Sequence, residues 1–149
     1  MITLKELKEI KGTFLGVDFG DARTGLAVCD PSHFLASGRE CIKVKGLEAA
    51  AAAVSDYAKK EGVTAVVVGL PRNMDGSEGH RAERAKRFAE EVEKLSGLPV
   101  ALADERMTTM AASRYLNATD TTGKKRKGVI DTLSAEIILQ NALDRMKNL

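Results

Sequence analysis

Apolar positions along the chain repeat with two different periods. In TLKELKEI, residues 3 to 10, Leu4, Leu7 and Ile10 fall at helical spacing. Thr3 stands three residues ahead of Glu6, as in a capping box, so residues 1–11 read as a short N-terminal helix or arm. TFLGVDFG and DARTGLAVCD are β-rich runs joined at Gly20-Asp21-Ala22-Arg23, where glycine and aspartate permit a tight reversal, and they predict a hairpin. A third extended run, about 34–45, follows Pro31 and suits a further antiparallel strand.

After Gly46 the period lengthens. Leu47, Ala50, Ala51, Val54, Tyr57 and Ala58 form the stripe of an amphipathic helix that Gly62 ends. VTAVVVGL is almost wholly apolar and β-branched, the pattern of a strand buried on both faces in a parallel sheet. A polar loop spans 71–79. A second amphipathic helix turns Ala82, Ala85, Phe88, Ala89, Val92 and Leu95 inward, closes at Gly97 and passes through Pro99 to the strand PVALA. A short helix, a loop over about 118–127 and a long terminal helix are expected beyond it. Three strands followed by alternating helix and strand predict one α/β domain, a mixed sheet flanked by helices.

Composition narrows the class. At 149 residues, with 44% apolar and 30% charged side chains, the chain suits a single globular unit. No apolar run approaches the roughly 18 residues of a membrane span, and MITLKELKEI lacks the apolar core of a signal peptide, so no membrane partner and a cytoplasmic location are expected. Cys29 and Cys41 belong to no metal-type cluster and read as small core residues in a reducing compartment. The net charge of +2 is too small for a general nucleic-acid binder, so any electrostatic site must be local. The clearest bias is Lys124, Lys125, Arg126 and Lys127, four cations in succession.

Three carboxylates stand where burial would be costly. Asp18 lies in GVDFG among Phe14, Leu15, Val17 and Phe19; an unpaired acid in such a strand costs several kcal/mol unless paired, hydrogen-bonded or bound to metal. Glu105 follows PVALA, at the strand end where α/β sheets place chemistry, with an ion pair to Arg106 as the plain alternative. Asp131 is four, seven and eleven residues ahead of Ala135, Ile138 and Ala142, on one inward stripe; in a first helical turn the helix dipole would favour its charge, and simple capping is its plain alternative. Brought together, the three would make a hard-cation site for Mg²⁺ or Mn²⁺, suited to in-line attack on a phosphodiester.

GVDFGDARTGLAVCD, VVVGLPRNMDGSEG, DERMTT and Asp131 with SAEIILQ closely resemble the YqgF/RuvX family, from about Gly16 to Asp144. The resemblance implies an RNase H-like domain over 12–149 with a five-stranded mixed sheet. It also implies that Asp18, Glu105 and Asp131 are catalytic and bind divalent metal. The family is similar to RuvC-type Holliday-junction resolvases and has also been assigned to maturation of the 5′ end of small-subunit ribosomal RNA precursor. The implied partner is therefore nucleic acid, a structured RNA precursor or a branched DNA, acted on by a monomer or homodimer. RuvC-like resolvases carry a second aspartate one turn after the first on the final helix. Ser134 stands at that position here, which favours the RNA substrate.

Within that frame Arg23, Arg72, Asn73, Ser77, Arg106 and Lys124 to Lys127 are the expected nucleic-acid contacts, with steadying of Glu105 as the plain alternative for Arg106 and an exposed loop or turn role for the others. Thr108 or Thr109 suits a helix cap, and His33 and His80 form no ligand pair. With 4% aromatic residues and no Trp, the chain offers few platforms for stacking bases, so recognition should rest on backbone and shape. Asp18-Phe19-Gly20 with Gly25 also resembles the phosphate turn of actin and sugar-kinase ATPases, but those need a second domain. A non-catalytic RNA-binding factor would not need all three acids.

Overall fold

Side chains that alternate along the first strand decide which helices cover which face of the sheet. The computed structural model describes residues 1–71, 78–104 and 123–149, and the side chains from residue 132 onward in the last segment. Its elements are α1 (Leu4–Leu7), β1 (Phe14–Asp18), β2 (Thr24–Cys29), β3 (Ala36–Ile42), α2 (Leu47–Glu61), β4 (Ala65–Leu70), α3 (His80–Ser96), β5 (Val100–Asp104) and α4 (Gly123–Lys147). The five strands lie in the order β3-β2-β1-β4-β5. β1 pairs antiparallel with β2 and parallel with β4; β2 pairs antiparallel with β3 and β4 parallel with β5. This is the mixed sheet of an RNase H-like domain, with β1 at its centre.

Leu15 and Val17 of β1 join Val66, Val68 and Val100 under α2 and α3, against Ala50, Val54, Phe88 and Val92. Phe14 turns the other way, with Ala27, Val67 and Ala101, onto Ala135, Ile138, Leu139 and Leu143 of α4. β4 feeds both layers, and Val66, Val67 and Val68 are each fully buried, which is why its sequence shows no alternation. Burying a side chain of this size contributes about 1.5–3 kcal/mol. The helix stops match the glycines: Gly62 and Gly97 take left-handed conformations, φ 70° and 72°, with nothing near the place a Cβ would occupy.

Each sheet edge is partly covered. Next to β5, the Ile2 amide donates to the Val100 carbonyl at 2.8 Å, and Thr3 and Glu6 complete the capping box that starts α1. At β3 the outward amides meet α4: Ala36 N–H donates to Gln140 Oε1 at 2.8 Å, and Gly38 N–H to Glu136 Oε2 at 3.3 Å. Satisfying edge donors with side chains blocks pairing with another strand.

The elements differ from the sequence-based expectation in three places. β3 runs only from Ala36 to Ile42 because the Asp30 carboxylate accepts from the amides of Ser32, Phe34 and Leu35 and folds that stretch into a turn. Cys29 is buried as expected, but Cys41 is half-exposed on the edge strand. The terminal helix begins at Gly123, so Lys124 to Lys127 are helical and not part of a loop. Long cationic side chains are good helix formers, and a tract of them extends a helix that is already anchored by its apolar half. Asp131 is therefore the ninth residue of α4, more than two turns from its start. The helix dipole, which acts within the first turn, does not account for its charge.

Candidate active site

Asp18 closes the central strand. Its Cα lies opposite Gly25 of β2, one step past the Val17–Val68 pairing with β4, and the residue is half-buried at the C-terminal end of the parallel strands. Alternation from Phe14 through Gly16 puts Asp18 on the face covered by α4. On that face β1 and α4 touch without an intervening side chain: a Cβ on Gly16 would lie 2.6 Å from Leu139 Cβ and 3.0 Å from the Ala135 carbonyl oxygen.

Cross-strand contacts give the direction of α4. In the Phe14 row, Ala36 is held by Gln140; in the Gly16 row, Gly38 lies beside Thr132 and Glu136. The helix thus descends in number as β1 ascends. One helical turn advances 5.4 Å and two strand residues about 6.6 Å, so the next row, that of Asp18, corresponds to the turn containing residue 131. The backbone therefore brings Asp18 to the level of the α4 turn that contains residue 131.

β5 ends at Asp104, paired with Leu70 two strands from β1, and leads directly into residue 105. Glu105 and Arg106 lie outside the described residues, as do Arg72, Asn73, Ser77, Thr108 and Thr109. The side chains of Asp131 and of Lys124 to Lys127 are outside them too. Among the described residues no three His, Cys, Asp or Glu side chains are grouped as metal ligands. Ser134, three residues after Asp131, is buried.

The turn after Asp18 is rigidly built. A Cβ on Gly20 would come within 2.5 Å of the Arg23 carbonyl oxygen, so only glycine fits there. Arg23 is half-buried at the end of this turn, next to the fully buried Thr24. Phe19 points to the opposite face from Asp18 and stacks on Phe88 with ring centroids 4.4 Å apart. Arg84 of α3 donates to Asp21 Oδ1 from Nε at 3.0 Å and from Nη2 at 2.5 Å, and its guanidinium carbon lies 6.0 Å from the Phe19 ring centre. Sequence reading passed over Arg84, because its partner is 63 residues away and nothing in local spacing announces the pair.

Comparison with known proteins gives this arrangement a family. Residues 12–145 match the RuvX family, described as Holliday junction resolvase. The chain belongs to the RuvX family. Among RuvX relatives, the protein of Pelotomaculum thermopropionicum is 46% identical over 131 residues, covering 87% of this chain and 85% of its own. That of Ruminiclostridium cellulolyticum is 41% identical over 133 residues, covering 89% and 94%. Both are provisionally named pre-16S rRNA nucleases. Among solved structures, RuvC of T. thermophilus in complex with a Holliday junction superposes with TM-score 0.59 at 15% identity over 91% of this chain and 96% of its own. The fowlpox virus Holliday junction resolvase gives 0.53 at 13% identity over 93% and 100%. At these identities the two structures show a shared fold.

Proposed function

We propose that this RuvX protein is a divalent-metal-dependent nuclease that hydrolyses phosphodiester bonds in the precursor of small-subunit ribosomal RNA, in the cytoplasm. The observation that carries the reading is the half-buried Asp18 at the end of the central strand, on the face where α4 packs directly on β1 and at the level of residue 131. The names of relatives above 40% identity over most of both chains support the substrate.

Asp18, Glu105 and Asp131 would hold Mg²⁺ or Mn²⁺. Their donors are all carboxylate oxygens, the chemistry of a hard-cation site, and the strand-end position of Asp18 fits it. When bound, such ions supply an activated water and neutralise charge on the leaving oxygen. The protein's own part is positional. The Gly16 contact fixes the separation of α4 from β1, and the turn closed by Gly20 holds Asp18 in register. In this reading Arg23, at the end of that turn, contacts a substrate phosphate, together with Arg72, Asn73, Ser77, Arg106 and the cations 124–127.

The family description supports a second reading, resolution of four-way DNA junctions. A junction offers two symmetric strands, so that reading requires a homodimer. Purified protein incubated with precursor ribosomal RNA and with a four-way DNA junction, in Mg²⁺ or Mn²⁺, separates the two, with Asp18→Asn as control. Cleavage of the RNA is expected. Cleavage of the junction alone would establish the second reading, and cleavage of neither would overturn both.

A further inference from the structure

On the face opposite Asp18, the turn 19–21, Pro71 and the first turns of α3 enclose a cleft of about 130 Å³. Phe19, Gly20, Asp21, Pro71, Arg81 and Arg84 line it. A cleft of this size has room for a phosphate group and its oxygens. Two arginines and one carboxylate line it, and the carboxylate is already engaged by Nε and Nη2 of Arg84. Arg81 is exposed, and the described residues offer it no ion-pair partner. Stacking of Phe19 on Phe88 and the ion pair with Asp21 hold the Arg84 side of the cleft rigid before any ligand arrives. Arginine in a pre-set position loses little entropy on binding a phosphate.

We propose that this cleft is a phosphate-binding subsite for the nucleic-acid backbone, with Arg81 as the contacting cation and Arg84 as the residue that shapes it. The inference rests on the nuclease reading and adds a substrate contact to it. The cleft shares the turn that follows Asp18, so a strand crossing the C-terminal edges of β1 and β4 would meet the carboxylate on one side of the sheet and Arg81 on the other. The phosphate held there belongs to the same strand as the one cleaved. Clamping it fixes the register of the strand against the acids without reading any base.

Binding of a fluorescently labelled precursor-rRNA fragment to the uncleaving Asp18→Asn protein tests this, followed by anisotropy across a range of salt. Adding Arg81→Ala should weaken binding about threefold or more at low salt, and should reduce the slope of log K against log salt by about 0.7–0.9. Adding Lys94→Ala, at the far end of the same helix, should change neither. Arg81 is exposed, so its replacement leaves the core intact; Arg81→Glu should weaken binding further. Equal affinity and slope for the Arg81→Ala and Lys94→Ala proteins would overturn the subsite and leave the nuclease reading standing. No measurable RNA binding by the Asp18→Asn protein would overturn both.

Discussion

Gly16 lies against Leu139 so closely that one added carbon at residue 16 would sit 2.6 Å from the leucine Cβ. Because the atom it meets is a Cβ and not a flexible chain end, the clash is relieved only by moving the helix away from the strand. Gly16→Ala should therefore cost about 1–3 kcal/mol of stability, the usual penalty for overpacking. The same displacement would separate the level of Asp18 from that of residue 131. Leu139→Ala keeps the offending atom and should not rescue it. Urea unfolding of the single and double variants checks this; a Gly16→Ala protein as stable as the parent would show that the contact does not set the spacing.

The same helix protects the edge of the sheet. Gln140 accepts from Ala36 N–H at 2.8 Å and donates to the Phe34 carbonyl at 3.1 Å. Gln140→Ala should cost about 1 kcal/mol and speed hydrogen exchange at the Ala36 amide, while amides of β4 stay protected. Unchanged exchange at Ala36 would mean that another group satisfies it.

Asp30 links the turn between β2 and β3 to pH. Its hydrogen bonds from the Ser32 side chain and from the Leu35 and Phe34 amides hold its carboxyl well below the usual carboxylate range. A depressed folded-state pKa stabilises the protein above the unfolded value and loses that contribution as pH falls through the folded one. The stability difference between parent and Asp30→Asn should thus stay level from neutral pH to about 4, near the ordinary aspartate value, and shrink below it. Urea midpoints measured at several pH values test the sign; a difference that grew on acidification would contradict it.

The cationic tract at 124–127 opens α4 and precedes Asp131 by one to two turns. Replacing all four residues by Gln should weaken RNA binding and lower the salt slope by about 0.7–0.9 for each phosphate that the tract neutralises. An unaltered slope would make the tract an ordinary exposed helix end.

Much of this architecture was legible in the residues. The two-period pattern located each described strand and long helix, and the helix-ending glycines Gly62 and Gly97 did what their lack of a side chain suggests. Asp18 stood out because a carboxylate inside an apolar strand is costly. Other features were hidden for physical reasons. A run of lysines is compatible with a loop or a helix, and only the anchored length of α4 decides between them. Pro31 marked a turn, but the Asp30 carboxylate that consumes the amides of Phe34 and Leu35, and so shortens β3, acts through geometry that no spacing displays. Arg84 and Asp21 meet only after β1, β4 and α3 are assembled, so neither the pair nor the cleft beside it could be read from the chain.

Whether Asp18, Glu105 and Asp131 share one divalent ion is decided most directly by titrating Mn²⁺ into the protein and following free Mn²⁺ by electron paramagnetic resonance. The parent should bind Mn²⁺, and Asp18→Asn, Glu105→Gln and Asp131→Asn should each bind it at least about 10-fold more weakly, since even partners beyond the ligands are worth 10–100-fold in metal affinity. Mn²⁺ affinities that are the same in all four proteins would contradict a shared site.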